Sequence, residues 1–211
     1  MYIAYFLNND DKREWLNIVK NRLTEQMNFA FNDEMVHVEN SPGYQMGVID
    51  LFRIISEFLV QFNDEYGTKL YDDVIKSTEF MAYIAKPNGA VAAIGDTNDI
   101  IGGNIIKNME HFKNDHLTYG FSQGTRGTKP TETSMFYPKS GYYISHNRWE
   151  SEDYSKSTWT MFKSGYSSKT HKHADDNSFM LYSKGYDIFV DSGWYNYTTG
   201  NKYRDYYMHG T

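Results

Sequence analysis

Two histidines one residue apart, followed at once by two carboxylates, make the run Lys169-Thr170-His171-Lys172-His173-Ala174-Asp175-Asp176-Asn177 the part of this sequence best equipped for chemistry. In an extended backbone, side chains at i and i+2 share a face, so His171 and His173 can offer two imidazoles to one site. Such a pair suits a metal ion, a proton transfer, or both. An isolated His-x-His on a solvated loop is the plainer alternative, and the neighbouring sequence argues against it. Phe179-Met180-Leu181-Tyr182 reads as a strand, Ser183-Lys184-Gly185 as a turn, and Tyr186 to Val190 as a second strand closed by Asp191. A carboxylate at the end of an apolar strand is costly to bury without a partner, which makes Asp191 a natural further ligand. A plain two-residue hairpin sets Asp191 opposite Ser178, five residues past His173, a gap of roughly 16 Å in extended chain. Ala174 to Asn177 must therefore fold back for His173 and Asp191 to share a metal, and Ala-Asp-Asp-Asn turns readily.

The elements around this run differ between the two halves of the chain. In the first half, Trp15, Val19, Leu23, Met27 and Ala30/Phe31 recur at helical spacing. Ser41-Pro42 opens a second helix, through Met46, Ile49, Phe52, Phe58 and Phe62, because serine caps and proline suits the first helical position. A third carries Leu70, Tyr71, Ile75, Phe80, Met81 and Ile84 and stops before Pro87-Asn88-Gly89. Three linked helices of this kind predict an antiparallel helical array. Beyond Gly120 the pattern becomes short and alternating, with strands predicted at Tyr142–Ser145, Ser157–Phe162, Phe179–Tyr182 and Tyr186–Val190. The boundary lies near residues 115 to 135, giving a helical region 1–118 and a β-region 119–211.

The 211 residues suffice for an independent core, and the absence of cysteine excludes disulfides and thiolate metal sites. No segment approaches the roughly 20 apolar residues of a membrane helix. The apolar start Met1 to Leu7 lacks a basic leader and cleavage site, and reads as the stub of a longer helix. The net charge of −6 argues against general nucleic-acid binding. It is unevenly placed, −8 over residues 1–120 and +2 over 121–211, so the histidine half is the one that tolerates an anionic ligand. Nineteen tyrosines suit either stacking on sugar rings or filling a pleated sheet.

Five segments together resemble the heparinase II/III-like polysaccharide lyases, relatives of the oligoalginate lyases: Val38-Glu39-Asn40-Ser41-Pro42-Gly43-Tyr44, Pro87-Asn88-Gly89 leading to Ile94-Gly95-Asp96-Thr97, His171 to Asp175, Asp191-Ser192-Gly193-Trp194-Tyr195, and Tyr203-Arg204-Asp205-Tyr206. The resemblance implies an α+β multidomain fold: the C-terminal helices of an (α/α) toroid, then part of an antiparallel β-sandwich, with the active site in the cleft between them. It implies a bacterial enzyme, periplasmic or secreted in its full-length form, that cleaves an acidic, uronic-acid-containing polysaccharide or oligosaccharide by β-elimination. By the same resemblance Tyr44 matches the catalytic acid, which for some stereochemistries is also the base, and His171 matches the base or carboxylate neutraliser. His173 and Asp191 match a zinc-binding pair that shapes the site. Glu39, Tyr195 and Arg204 fall at substrate-binding positions. Two family features lack a match: a carboxylate-neutralising Asn or His expected before Met1, and a third metal ligand, which is either His209 or a residue beyond Thr211, the second being favoured. The chain thus reads as a fragment truncated at both ends and of little activity alone. Two other readings compete, a cupin-type metal enzyme, from the spacing of Gly165, His171, His173 and Gly185 with Ser178 in place of the usual Glu, and a non-catalytic carbohydrate-binding module.

Overall fold

The computed structural model of the chain describes residues 2–6, 10–97, 111–150, 152–165 and 167–209. Within them run α1 (Tyr2–Phe6), α2 (Lys12–Ala30), α3 (Pro42–Gln61), α4 (Glu65–Ile84) and α5 (Asp115–Phe121), then β1 (Ser134–Tyr137), β2 (Tyr142–His146), β3 (Trp159–Lys163), β4 (Ser178–Ser183) and β5 (Tyr186–Phe189), and last α6 (Lys202–His209). The three long helices lie where apolar spacing places them. Ser41, in an extended conformation, accepts a hydrogen bond from the Tyr44 amide at 3.5 Å with Pro42 at the first helical position, so α3 starts where its sequence dictates. Asp64 caps α4 in the same way through Tyr66. The stripe Met46, Ile49, Phe52 and Leu59 of α3 is buried, and α4 buries Leu70, Val74, Phe80, Met81 and Ile84.

The strands form one antiparallel meander in the order β1-β2-β3-β4-β5. One face, Tyr142 and Ile144 of β2, Trp159 and Met161 of β3, Met180 and Tyr182 of β4, is buried in the same core as the α4 residues. Polar contacts fasten the two layers. The Tyr83 carbonyl at the end of α4, left without a helical partner, accepts from His146 Nε2 at 2.9 Å and Trp159 Nε1 at 3.0 Å. The buried Lys86 ammonium pairs with Asp187 of β5 at 2.9 Å.

The opposite face carries a straight row of aromatic rings. Phe136 pairs with Tyr143, Tyr143 with Phe162 and Phe162 with Phe179, while the Phe189 ring lies 5.9 Å from that of Phe179. All five are between 40 % and 68 % exposed. A sheet apolar on both faces is built as a middle layer, the half-core that a sandwich requires.

Two sequence expectations need correction. Lys184 (φ 54°) and Gly185 (φ 88°) form the tight turn, but a bulge between Leu181 and Tyr182 shifts the register so that Leu181 faces Phe189, and Asp191 leaves the sheet instead of facing Ser178. His171 sits in a turn at φ 51°, and the His171 to His173 segment is not an extended strand. Strand β1 and helices α5 and α6 had no clear periodic signal. An open meander beside helices also differs from the double-sheet barrel that a cupin requires.

Candidate active site

Four loops meet at the N-terminus of α3. Asn40, in the left-handed region at φ 60°, donates through Nδ2 to the carbonyls of Ser168 (2.9 Å) and Thr170 (3.2 Å), and its Oδ1 accepts from the Ser167 amide (3.0 Å). The loop before His171 is thereby clamped to the start of α3. Thr97 fixes the third segment: its hydroxyl lies 2.8 Å from that of Ser41 and accepts from the Gly43 amide at 3.1 Å. Its carbonyl accepts from the Trp194 amide, which brings in the loop after β5. At Gly95 (φ 56°) a Cβ would lie 2.7 Å from the His171 carbonyl and 2.8 Å from that of Asn40, so only glycine admits this approach.

The result is a cluster of six side chains, Tyr44, Tyr197, Asp96, His171, His173 and Glu39. The Tyr44 ring stacks on the His171 imidazole, centroids 3.6 Å apart and 18° from parallel. The hydroxyls of Tyr44 and Tyr197 are 2.7 Å apart, and Tyr197 donates to Asp96 Oδ2 at 3.1 Å. Asp96 Oδ2 also lies 2.7 Å from His171 Nδ1, and Asp96 Oδ1 lies 2.9 Å from His173 Nε2. Burial pushes the Asp96 carboxyl up, but hydrogen bonds from His173, His171 and Tyr197 outweigh it and hold the group at about 2. Burial, the bond to Tyr44 and the Asp96 charge raise the Tyr197 phenol. Glu39 reaches the far nitrogen of His171, Nε2, at 3.5 Å.

Tyr44, His171 and Glu39 are thus brought together, with His173 behind His171. Asp191 is buried; its Oδ1 caps the Gly193 amide at 2.8 Å, and its field acts on His173. Tyr195 instead stacks on Tyr207 of α6, centroids 5.0 Å apart and 19° from parallel. Arg204 lies on α6, 3.8 Å from Asp205, and no hydrogen bond or ion pair among the described residues joins it to the Tyr44–His171 cluster. Asp96 and Tyr197 were not singled out from sequence as functional, because each is a single polar residue in a loop. The Gly95-Asp96 pair, a glycine at a close approach followed by a carboxylate, was the available signal.

A divalent cation can be tested against unpaired atoms. His173 Nδ1, Asp191 Oδ2 and both Asp175 oxygens are buried without a hydrogen-bond partner, a donor set that suits such an ion. Burial, then the Asp191 charge, raises the Asp175 carboxyl to about 6; burial also raises Asp191. His173 and Asp191 supply atoms of ligand type, yet no group of three His, Cys, Asp or Glu side chains among the described residues is arranged to hold a metal. His209, one of the two alternatives for a third ligand, is exposed at the end of α6, next to Met208, whose carbonyl accepts from the Ala174 amide. The favoured position beyond Thr211 lies outside the described residues.

Residues 129–210 match the family model described as heparinase II/III-like, C-terminal. The chain is similar to the heparinase II/III-like proteins. A heparin-sulfate lyase of Bacteroides stercoris is 23% identical over 201 residues, 92% of this chain and 30% of that protein. A heparin-sulfate lyase of Bacteroides thetaiotaomicron is 25% identical over 212 residues, 88% of this chain and again 30% of the relative. The structure of the heparan sulfate lyase HepC from Pedobacter heparinus superposes with a TM-score of 0.81 at 20% identity, over 97% of this chain and 33% of the other. A heparinase III structure gives 0.77, also at 20% identity and over 97% and 33%. The chain therefore spans about a third of the length of these relatives. It shares their fold over that third, helices followed by an antiparallel sheet.

Proposed function

We propose that this chain carries part of the active site of a polysaccharide lyase that cleaves a uronic-acid-containing polysaccharide by β-elimination. The observation that supports the reading most is the stacking of Tyr44 on His171, two proton-bearing side chains delivered from the helical layer and from a loop of the sheet region into direct contact. The relatives named heparin-sulfate lyases point the substrate class towards acidic glycans.

The reaction requires a base to take the proton at carbon 5, beside the carboxylate. The electron pair left behind forms the C4–C5 double bond as the C4–O bond breaks, and an acid protonates the departing oxygen. Tyr44 takes the part of the acid in this reading. It lies in the first turn of α3, whose positive end favours a developing phenolate, and the same phenol can serve as base where stereochemistry puts both protons on one side. His171 presents Nε2 towards Glu39 and can act as base or neutralise the substrate carboxylate, lowering the cost of the enolate-like intermediate. When bound, a zinc ion would supply fixed positive charge behind His171, held by His173 and Asp191. Those two residues hold and orient, and take no proton from the sugar.

Incubation of the full-length protein with heparan, hyaluronan and alginate tests the reading, followed by ultraviolet absorbance of the unsaturated uronate that elimination creates. Tyr44→Phe and His171→Ala should each lower turnover by roughly 10²-fold or more. Sugar binding without absorbance on any uronan would favour a carbohydrate-binding module instead, and full activity in Tyr44→Phe would remove the acid.

A further inference from the structure

Asp96 belongs to neither the base nor the acid, yet three donors end on it. It sits in a loop that both histidines face, with its side chain only 6 % exposed. It touches different nitrogens of the two rings: Nδ1 of His171 at 2.7 Å and Nε2 of His173 at 2.9 Å. An ionised carboxylate only accepts, so each nitrogen it touches must carry a proton. In a neutral imidazole the other nitrogen is then a bare lone pair. For His171 that is Nε2, facing Glu39 on the ring that stacks against Tyr44. For His173 it is Nδ1, which is buried with no partner.

We propose that Asp96 is a positioning residue that selects opposite tautomers of His171 and His173, freeing Nε2 of the first towards substrate and Nδ1 of the second towards the interior. The inference rests on the elimination reading for its purpose, since a base needs a bare nitrogen, but not for its geometry. The backbone reinforces it. The Asp96 amide donates to the His171 carbonyl at 3.2 Å, so carboxylate and imidazole are locked at both ends of the contact. Tyr197 supplies the third donor and keeps Oδ2 from rotating away. Without the carboxylate, His171 Nδ1 would lose its acceptor and the proton could move to Nε2, leaving the nitrogen beside Glu39 unable to accept one. An aspartate behind a histidine does the same service in serine hydrolases.

The test reads tautomers directly. The chain labelled with 15N-histidine, kept dilute enough to stay dispersed, is examined by two-bond proton–nitrogen correlation at a pH of about 9, above the ordinary imidazole range, with signals assigned through His171→Ala and His173→Ala. The expected wild-type result is a protonated Nδ1 in His171 and a protonated Nε2 in His173. Asp96→Asn should convert His171 wholly or partly to the other tautomer while circular dichroism stays unchanged. In the full-length enzyme it should cut kcat by roughly 10²-fold, with KM within a few-fold, as a lost orienting contact does. A wild-type His171 protonated on Nε2, a His173 protonated on both nitrogens, or tautomers indifferent to Asp96→Asn would each overturn the inference. Should Asp96→Asn fail to fold, the wild-type spectrum decides alone. A full-length protein inert on every uronan, with these tautomers present, would remove the elimination reading and leave the Asp96 assignment standing.

Discussion

The hydroxyl of Tyr44 meets that of Tyr197 at 2.7 Å, and because Tyr197 gives its own proton to Asp96, Tyr44 must be the donor between them. When Tyr44 releases its proton, Tyr197 can turn and donate to the phenolate, so the pair stabilises both states of the acid. Tyr197→Phe in the full-length enzyme should lower kcat by roughly 10-fold with a smaller change in KM, as a contact used mainly in the transition state requires. Steady-state kinetics on a uronan checks this, and a raised KM with unchanged kcat would make Tyr197 a substrate contact instead.

Asn40 carries the loop that holds His171. Its three side-chain bonds should each contribute roughly 0.5–1.5 kcal/mol net, so Asn40→Gly, which keeps the left-handed backbone, should cost about 2–3 kcal/mol in denaturant unfolding. Asn40→Ala should cost more, because its Cβ disfavours φ 60°. Equal stability of the two variants would show that backbone strain plays no part there.

The unpaired atoms of His173 and Asp191 predict a joint phenotype. In the full-length protein, His173→Ala and Asp191→Asn should lower bound zinc and melting temperature together, and zinc should no longer raise the melting temperature of either variant. Metal analysis alongside calorimetry separates this from a purely structural role, in which stability would fall and zinc would never have been bound.

Two buried imidazoles outside the site set an acid limit. Burial lowers His37 to about 4, helped by His171, and burial lowers His146 to about 4 against its bond to the Tyr83 carbonyl. Unfolded, each would titrate near 6.5. Between those values the unfolded chain binds more protons, so stability is complete above about pH 6.5 and is lost as the pH falls towards 4, by up to about 1.4 kcal/mol per pH unit for each histidine. Chemical denaturation across pH 4 to 7 should show that slope, and His146→Gln should reduce it by about one proton.

How much was legible in sequence follows from what each element depends on. Helices α3 and α4 depend on local spacing and caps at Ser41 and Asp64, so they could be read directly. The meeting of Tyr44 and His171 followed from short motifs taken together, not from any one residue. The register of β5 was lost because a bulge between Leu181 and Tyr182 leaves no compositional trace. Asp96 and Tyr197 escaped because their importance comes from three-dimensional convergence on single loop residues. The packing of the Tyr195 ring on Tyr207 likewise joins residues twelve apart, a contact that no local pattern announces.

The row from Phe136 through Tyr143, Phe162 and Phe179 to Phe189 also governs how the polypeptide can be handled. With neighbouring strands roughly 4.8 Å apart, it forms an uninterrupted greasy band about 20 Å wide, of the sort that glues one molecule to the next when nothing shields it. Left bare, these 211 residues should clump with rising concentration, and a charge placed mid-band, as in Phe162→Lys, should keep them dispersed.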